Sequence, residues 1–108
     1  MIKIKLFCAA AFSTSALVEK MKKAAADRGL EVDIEACAQG KLADSLDDLD
    51  VALLGPQVAY TLPKSQKICN EKCVPVAVIP MADYGMMNGE KVLDFALNLI
   101  EKNKENNL

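Results

Sequence analysis

Histidine is absent from the 108 residues, and Arg28 is the only arginine. The first absence removes the commonest general base and metal ligand, and with them any phosphohistidine carried by this chain. The second excludes clustered guanidinium recognition of phosphate. Aromatic residues are few and scattered (Phe7, Phe12, Tyr60, Tyr84, Phe95), which excludes a base-stacking platform. No apolar run approaches the roughly 18 residues of a membrane-crossing helix. Nor is there an excess of charge of one sign. Thirteen basic residues face 15 acidic ones, for a net charge of −2, with 7 and 9 in Met1 to Leu54 and 6 of each in Gly55 to Leu108. No basic face points to nucleic acid.

What is there suits one packed domain. Hydrophobic residues make up 52% and charged residues 26% of the chain, enough apolar material for a core and too little repulsion for disorder. Residues 1–104 are read as the domain and residues 105–108 as a polar C-terminal tail, with fraying from Lys102. Four cysteines, Cys8, Cys37, Cys69 and Cys73, could form two disulfides in a secreted protein. A core of this size needs no such staples. Lys3 and Lys5 before the apolar stretch Leu6 to Phe12 could open a signal peptide. The alternation Ile2-Lys3-Ile4-Lys5-Leu6 fits a strand instead, and a cytoplasmic location is expected.

The order of elements gives the fold class. Leu17, Val18, Met21, Ala24 and Ala25 recur at helical spacing after the first strand and stop at Gly29, a glycine C-cap. Leu30, Val32, Ile34 and Ala36 alternate with acidic residues, as a half-buried edge strand does. Leu42, Ala43, Leu46 and Leu49 predict a short amphipathic helix with Asp44, Asp47 and Asp48 on its wet side. The apolar run 51–54, halted by Gly55-Pro56, reads as a central strand. Residues 57–72 are helical but weaker, kinked or divided at Pro63. Residues 74–79 form another buried strand, and Asn88 or Gly89 opens a last helix bearing Val92, Phe95, Ala96, Leu99 and Ile100 on one face. Alternating strands and helices predict a single α/β domain, an open four-stranded parallel sheet with helices on both faces, Rossmann-like. Ligands of such sheets bind at the carboxyl ends of strands, here the segments beginning Cys8, Gly55 and Pro80.

Cys8 ends the first strand just before a helix, where the helix dipole and loop N–H groups favour a thiolate nucleophile. The loop Ala9, Ala10, Ala11, Phe12, Ser13, Thr14 and Ser15 offers consecutive N–H donors and three hydroxyls to a tetrahedral anion. Alternatively, Cys8 is a small buried hydrophobe and the three hydroxyls merely cap a helix. A cysteine phosphatase of the Cys-x5-Arg type is a rival chemistry, but Thr14 occupies the arginine position. Without arginine or a general acid, sulfur could accept a phosphoryl group yet discharge it poorly to water, which favours a carrier over a hydrolase. A dinucleotide loop would need glycines, and thioredoxin-type chemistry would need Cys-x-x-Cys. Cys69 and Cys73 could share a helix face, but with no histidine and no second close pair no metal set is expected. Cys37 is read as structural. Met86 and Met87 could meet a partner, with at least one filling the core.

The stretch Lys5-Leu6-Phe7-Cys8-Ala9-Ala10-Ala11-Phe12-Ser13-Thr14-Ser15-Ala16-Leu17-Val18 resembles the active-site loop of the enzyme IIB component of the bacterial phosphoenolpyruvate-dependent sugar phosphotransferase system, lactose/cellobiose/chitobiose family. Leu53-Leu54-Gly55-Pro56-Gln57-Val58 and Met81-Ala82-Asp83-Tyr84-Gly85-Met86-Met87-Asn88-Gly89-Glu90-Lys91-Val92 resemble two further family blocks, in the same order. The resemblance implies that Cys8 takes a phosphoryl group from a phosphohistidine on a separate IIA protein. It implies transfer to a sugar of cellobiose, lactose or chitobiose type bound in membrane IIC, at the inner face of the membrane. No cofactor is implied, and no long apolar stripe demands a dimer, so a monomer is expected. The chain departs from the family pattern at Ala11, where glycine is usual, and at Ala59, where many relatives have arginine.

Overall fold

The computed structural model describes residues 1–9 and 12–106. Four strands, β1 (Ile2–Cys8), β2 (Val32–Ala38), β3 (Val51–Leu54) and β4 (Val76–Val78), alternate with helices α1 (Phe12–Asp27), α2 (Leu62–Glu71), α3 (Met81–Gly85) and α4 (Gly89–Asn106). The sheet order is β2-β1-β3-β4, and all three pairings are parallel. This is the expected open α/β sheet, with β1 and β3 in the middle. All four residues of β3 are buried, which explains its unbroken apolar run.

Each face of the sheet has its own core. Ile4 and Leu6 of β1 and Leu53 of β3 pack with Leu17 and Met21 of α1 and Val92, Leu93 and Ala96 of α4. Phe7, Ala52 and Leu54 point the other way and meet Leu42, Leu46, Val58 and Cys69. The strand period of two thus divides one chain between two layers.

Two of the expected elements differ. Residues 42–49 are not an α-helix; short 3₁₀ turns at Gln39–Lys41 and Ala43–Ser45 take its place. Ser45 Oγ donates to Lys41 O at 2.7 Å, and Asp48 adopts a left-handed φ of 61°. Leu42, Leu46 and Leu49 are nevertheless all buried. Burying a leucine is worth about 1.5–3 kcal/mol, against at most about 0.7 kcal/mol per residue for helix propensity, so packing decides the path. The second difference is β4, an edge strand with only half-buried residues, where a buried strand was expected. The short helix α3 had no counterpart in the sequence pattern.

The remaining boundaries follow local chemistry. Gly29, at φ 70°, closes α1 as its N–H bonds Ala26 O and that of Leu30 bonds Ala25 O, the expected glycine cap. The 57–72 segment is divided just before Pro63, into a 3₁₀ stretch Pro56–Thr61 and α2, with Pro63 in the first turn of α2. That position needs no N–H bond. Asn88 Oδ1 accepts from Lys91 N–H at 3.1 Å and so caps α4. Past Lys102, where fraying was expected, α4 continues to Asn106, and Asn103 Nδ2 donates to Cys73 O at 3.1 Å.

Candidate functional site at the strand ends

Cys8 is the last residue of β1, paired with Ala38 of β2, and its side chain is buried. Thr14, in the first turn of α1, is equally buried, and its Oγ1 lies 3.4 Å from Cys8 Sγ. The position that a Cys-x5-Arg phosphatase would fill with a guanidinium holds instead a neutral hydroxyl in contact with the sulfur. Ala9 is exposed in the bend after β1. Ala10 and Ala11 lie outside the described residues, while Phe12 and Ser13 open α1. Ser15 is exposed and borders a cleft of about 300 Å³ between α1 and β2, lined also by Val18, Glu19, Lys22 and Glu35.

The end of β3 adjoins Cys8. Gly55 N–H donates to Phe7 O at 2.8 Å, and a Cβ built on Gly55 would stand 3.5 Å from Cys8 Cβ and 2.5 Å from Gln57 Oε1. Gln57 therefore reaches back over Gly55 toward the cysteine. Its Nε2 donates to Tyr84 Oη at 2.9 Å, and the Tyr84 ring packs against the core of α1 and α4. The segments following β1, β3 and β4 thus converge at one edge of the sheet, as the parallel topology predicts. Gln57 and Tyr84 were not among the expected site residues. The available signal was their position directly after strand carboxyl ends.

The other cysteines are set apart from this edge in character. All four are free thiols. Burial pushes the Cys37 thiol up from its ordinary value, and Lys5 opposes the rise. Burial alone pushes up Cys69. Cys69 is buried in α2, whereas Cys73 is exposed beyond its end at a left-handed φ of 57°, so the two do not share a helix face. Among the described residues no cluster of three or more Cys, Asp or Glu side chains could hold a metal. A cleft of about 440 Å³ between Lys20, Lys23, Asp27 and the start of α4 does not include Cys8, Thr14 or Gln57 in its lining. Met86 and Met87 are both exposed, so neither fills the core as expected. Ala59 is exposed as well.

A family model for the lactose/cellobiose-specific IIB subunit of the PTS system matches residues 3–95. The chain belongs to this family of phosphotransferase-system IIB subunits. The cellobiose-specific EIIB component of Lactococcus lactis subsp. lactis (strain IL1403) is 47% identical over 102 residues, covering 90% of this chain and 94% of the relative. The galactose-specific EIIB component of Lactococcus lactis subsp. cremoris (strain MG1363) is 46% identical over 102 residues, with the same two coverages. The solution structure of the cellobiose-specific phosphotransferase IIB component from Borrelia burgdorferi superposes with a TM-score of 0.80 at 38% identity, covering 94% of each chain. As an EIIB component this chain is a phosphotransferase. Relatives named for different sugars are thus nearly equally similar to this chain. Among the described residues, no helix of this IIB subunit is long and apolar enough to cross a membrane.

Proposed function

We propose that Cys8 is the phosphoryl carrier of this IIB subunit. Its thiolate attacks the phosphorus of a phosphohistidine on a IIA protein; the S–P bond forms as the N–P bond breaks, and the imidazole leaves. In the second step a hydroxyl of a sugar held by membrane IIC attacks the same phosphorus, and the S–P bond breaks to restore the thiolate. The hydroxyl proton passes to a base beside the sugar in IIC. The observation that carries the reading is the buried Cys8 sulfur, in contact with Thr14 at the start of α1, in a chain of this family.

Electrostatic positioning supplies the catalysis. The N-terminus of α1 directs its dipole at the group on sulfur, and the N–H groups of Ala9 to Ser15, with the hydroxyls of Ser13, Thr14 and Ser15, hold the equatorial oxygens. Burial keeps water from the S–P bond, so the phosphocysteine persists until the acceptor arrives. Tyr60, Met81 and Met86 are exposed in the segments after β3 and β4, and they offer an adaptable apolar rim to IIA and IIC in turn. Such interfaces are transient and modest in area, which suits a monomeric cytoplasmic carrier that visits the inner face of the membrane.

Intact mass after incubation with phosphoenolpyruvate, the general phosphotransferase proteins and a IIA partner tests the reading. One added phosphoryl group, resistant to acid, lost to iodine and absent from Cys8→Ser, is expected. A phosphoryl group that persists in Cys8→Ser, or no gain in mass with any of several IIA partners, overturns it.

A further inference from the structure

Gln57 and Tyr84 are 27 positions apart, yet their side chains are hydrogen-bonded beside the cysteine. Gly55 makes this approach possible. The space that a Cβ there would fill is occupied by Gln57 Oε1, at 2.5 Å from that position, and Cys8 Cβ lies 3.5 Å from the same position. The amide oxygen is therefore no farther from Cys8 Cβ than those two lengths together, a gap that a phosphoryl group on sulfur spans. We propose that Gln57 is a catalytic residue that contacts the phosphoryl group on Cys8, and that Tyr84 is the positioning residue that holds its amide in place. This inference rests on the phosphocysteine reading.

The donor and acceptor groups of Gln57 and Tyr84 can bond each other in two ways. In the structure Gln57 Nε2 donates to Tyr84 Oη, and the acceptor Oε1 lies over Gly55, beside Cys8. An acceptor facing a free thiol is compatible with its S–H, but one facing three anionic oxygens is not. Tyrosine O–H both donates and accepts. A half-turn of the terminal amide brings Nε2 to the phosphoryl oxygens while Oε1 accepts from Tyr84 O–H, so the Gln57–Tyr84 bond survives in both states. The terminal torsion of glutamine is broad and two-fold, which makes the exchange easy. The half-buried ring of Tyr84 packs against the core cluster that includes α1 and α4, which holds the pivot while the amide turns.

The test is the side-chain amide NMR of the ¹⁵N-labelled full chain, before and after phosphorylation by phosphoenolpyruvate, the general phosphotransferase proteins and a IIA partner. The Gln57 NH₂ resonances are expected to move downfield on phosphorylation, and less so in Tyr84→Phe. Hydrogen bonds to charged groups contribute about 1.5–3 kcal/mol, so Gln57→Glu, which only accepts and repels the anion, is expected to slow phosphorylation about 10- to 100-fold. Gln57 is exposed, so its thermal midpoint should stay unchanged. Tyr84→Phe is expected to slow transfer a few-fold and leave the stoichiometry at one. A wild-type chain that is phosphorylated without movement of the Gln57 resonances, together with wild-type rates in Gln57→Glu, overturns this inference and leaves the carrier reading intact. Absence of phosphorylation in the wild-type chain overturns both.

Discussion

Thr14 and Gly55 do different work around the same sulfur. The Thr14 hydroxyl is buried and 3.4 Å from Cys8 Sγ, where, on the carrier reading proposed above, it would orient the nucleophile. Thr14→Val keeps the shape and removes the hydroxyl, so stability should change by only about 1 kcal/mol, while phosphorylation by IIA, followed by rapid quench, should slow about tenfold. Thr14→Ser should restore most of the rate; an unchanged rate in the valine variant would make Thr14 a packing residue only. Gly55 has an ordinary φ of −65°, so alanine there meets no backbone strain. Its methyl group would collide with the Gln57 amide at 2.5 Å but sit in ordinary contact with Cys8 Cβ and Phe7 O. Gly55→Ala should therefore fold with a near-normal thermal midpoint and lose transfer activity much as Gln57→Glu is expected to. A fall in midpoint comparable to that of a core deletion would show that Gln57 cannot swing aside. The Cys8–Thr14 contact is legible in the sequence because the two residues flank one strand-to-helix connection. The Gln57–Tyr84 contact is not, because no spacing rule links residues on separate crossovers.

Helices α1 and α4 approach closely where Gly89 meets the backbone of Lys20 and Met21. A Cβ at Gly89 would stand 2.5 Å from Lys20 C, 2.7 Å from Lys20 O and 2.7 Å from Met21 N, and backbone atoms, unlike a side-chain tip, cannot turn away. Gly89→Ala should push the start of α4 off α1 and cost about 1–3 kcal/mol, as overpacking does. That amounts to several degrees in the thermal midpoint. Gly85→Ala is the control, since its Cβ would meet nothing within 4 Å, and it should melt with the parent chain. Equal midpoints for the two variants would contradict the close crossing. The sequence foreshadows Gly89 only as a helix start. The same holds for the other elements. Strand β1 and helices α1 and α4 are legible because their apolar periods agree with the faces they bury. The 42–49 segment shows a helical period yet folds as 3₁₀ turns, because three leucines reach the sheet without a regular helix. Strand β4 reads as buried because a short apolar run looks the same on an edge as in the centre.

The two-layer core explains how the whole molecule should respond to pH. Cys37 and Cys69 both pack into the layer formed by Phe7, Leu54 and Val58, and burial raises both thiols above their ordinary value near 9.0. In the unfolded chain these thiols lose their protons at the ordinary value; in the folded chain they keep them to higher pH. Between the two values the unfolded state therefore binds fewer protons than the folded one, so stability falls as pH rises through that window. Below about pH 8 both states hold the protons, and these two groups contribute no slope. The expected result is a urea midpoint that their titration leaves untouched in neutral solution and lowers above pH 9. Cys37→Ala combined with Cys69→Ala should start from a lower midpoint, because a side chain buried in the core has been cut back, but should decline less steeply with alkalinity. Lysines and tyrosines titrate in both proteins alike, so the difference in slope isolates the thiols. An equally steep alkaline decline in the double variant would show that the thiols ionise as readily in the folded core as in water. The second layer would then be open to solvent.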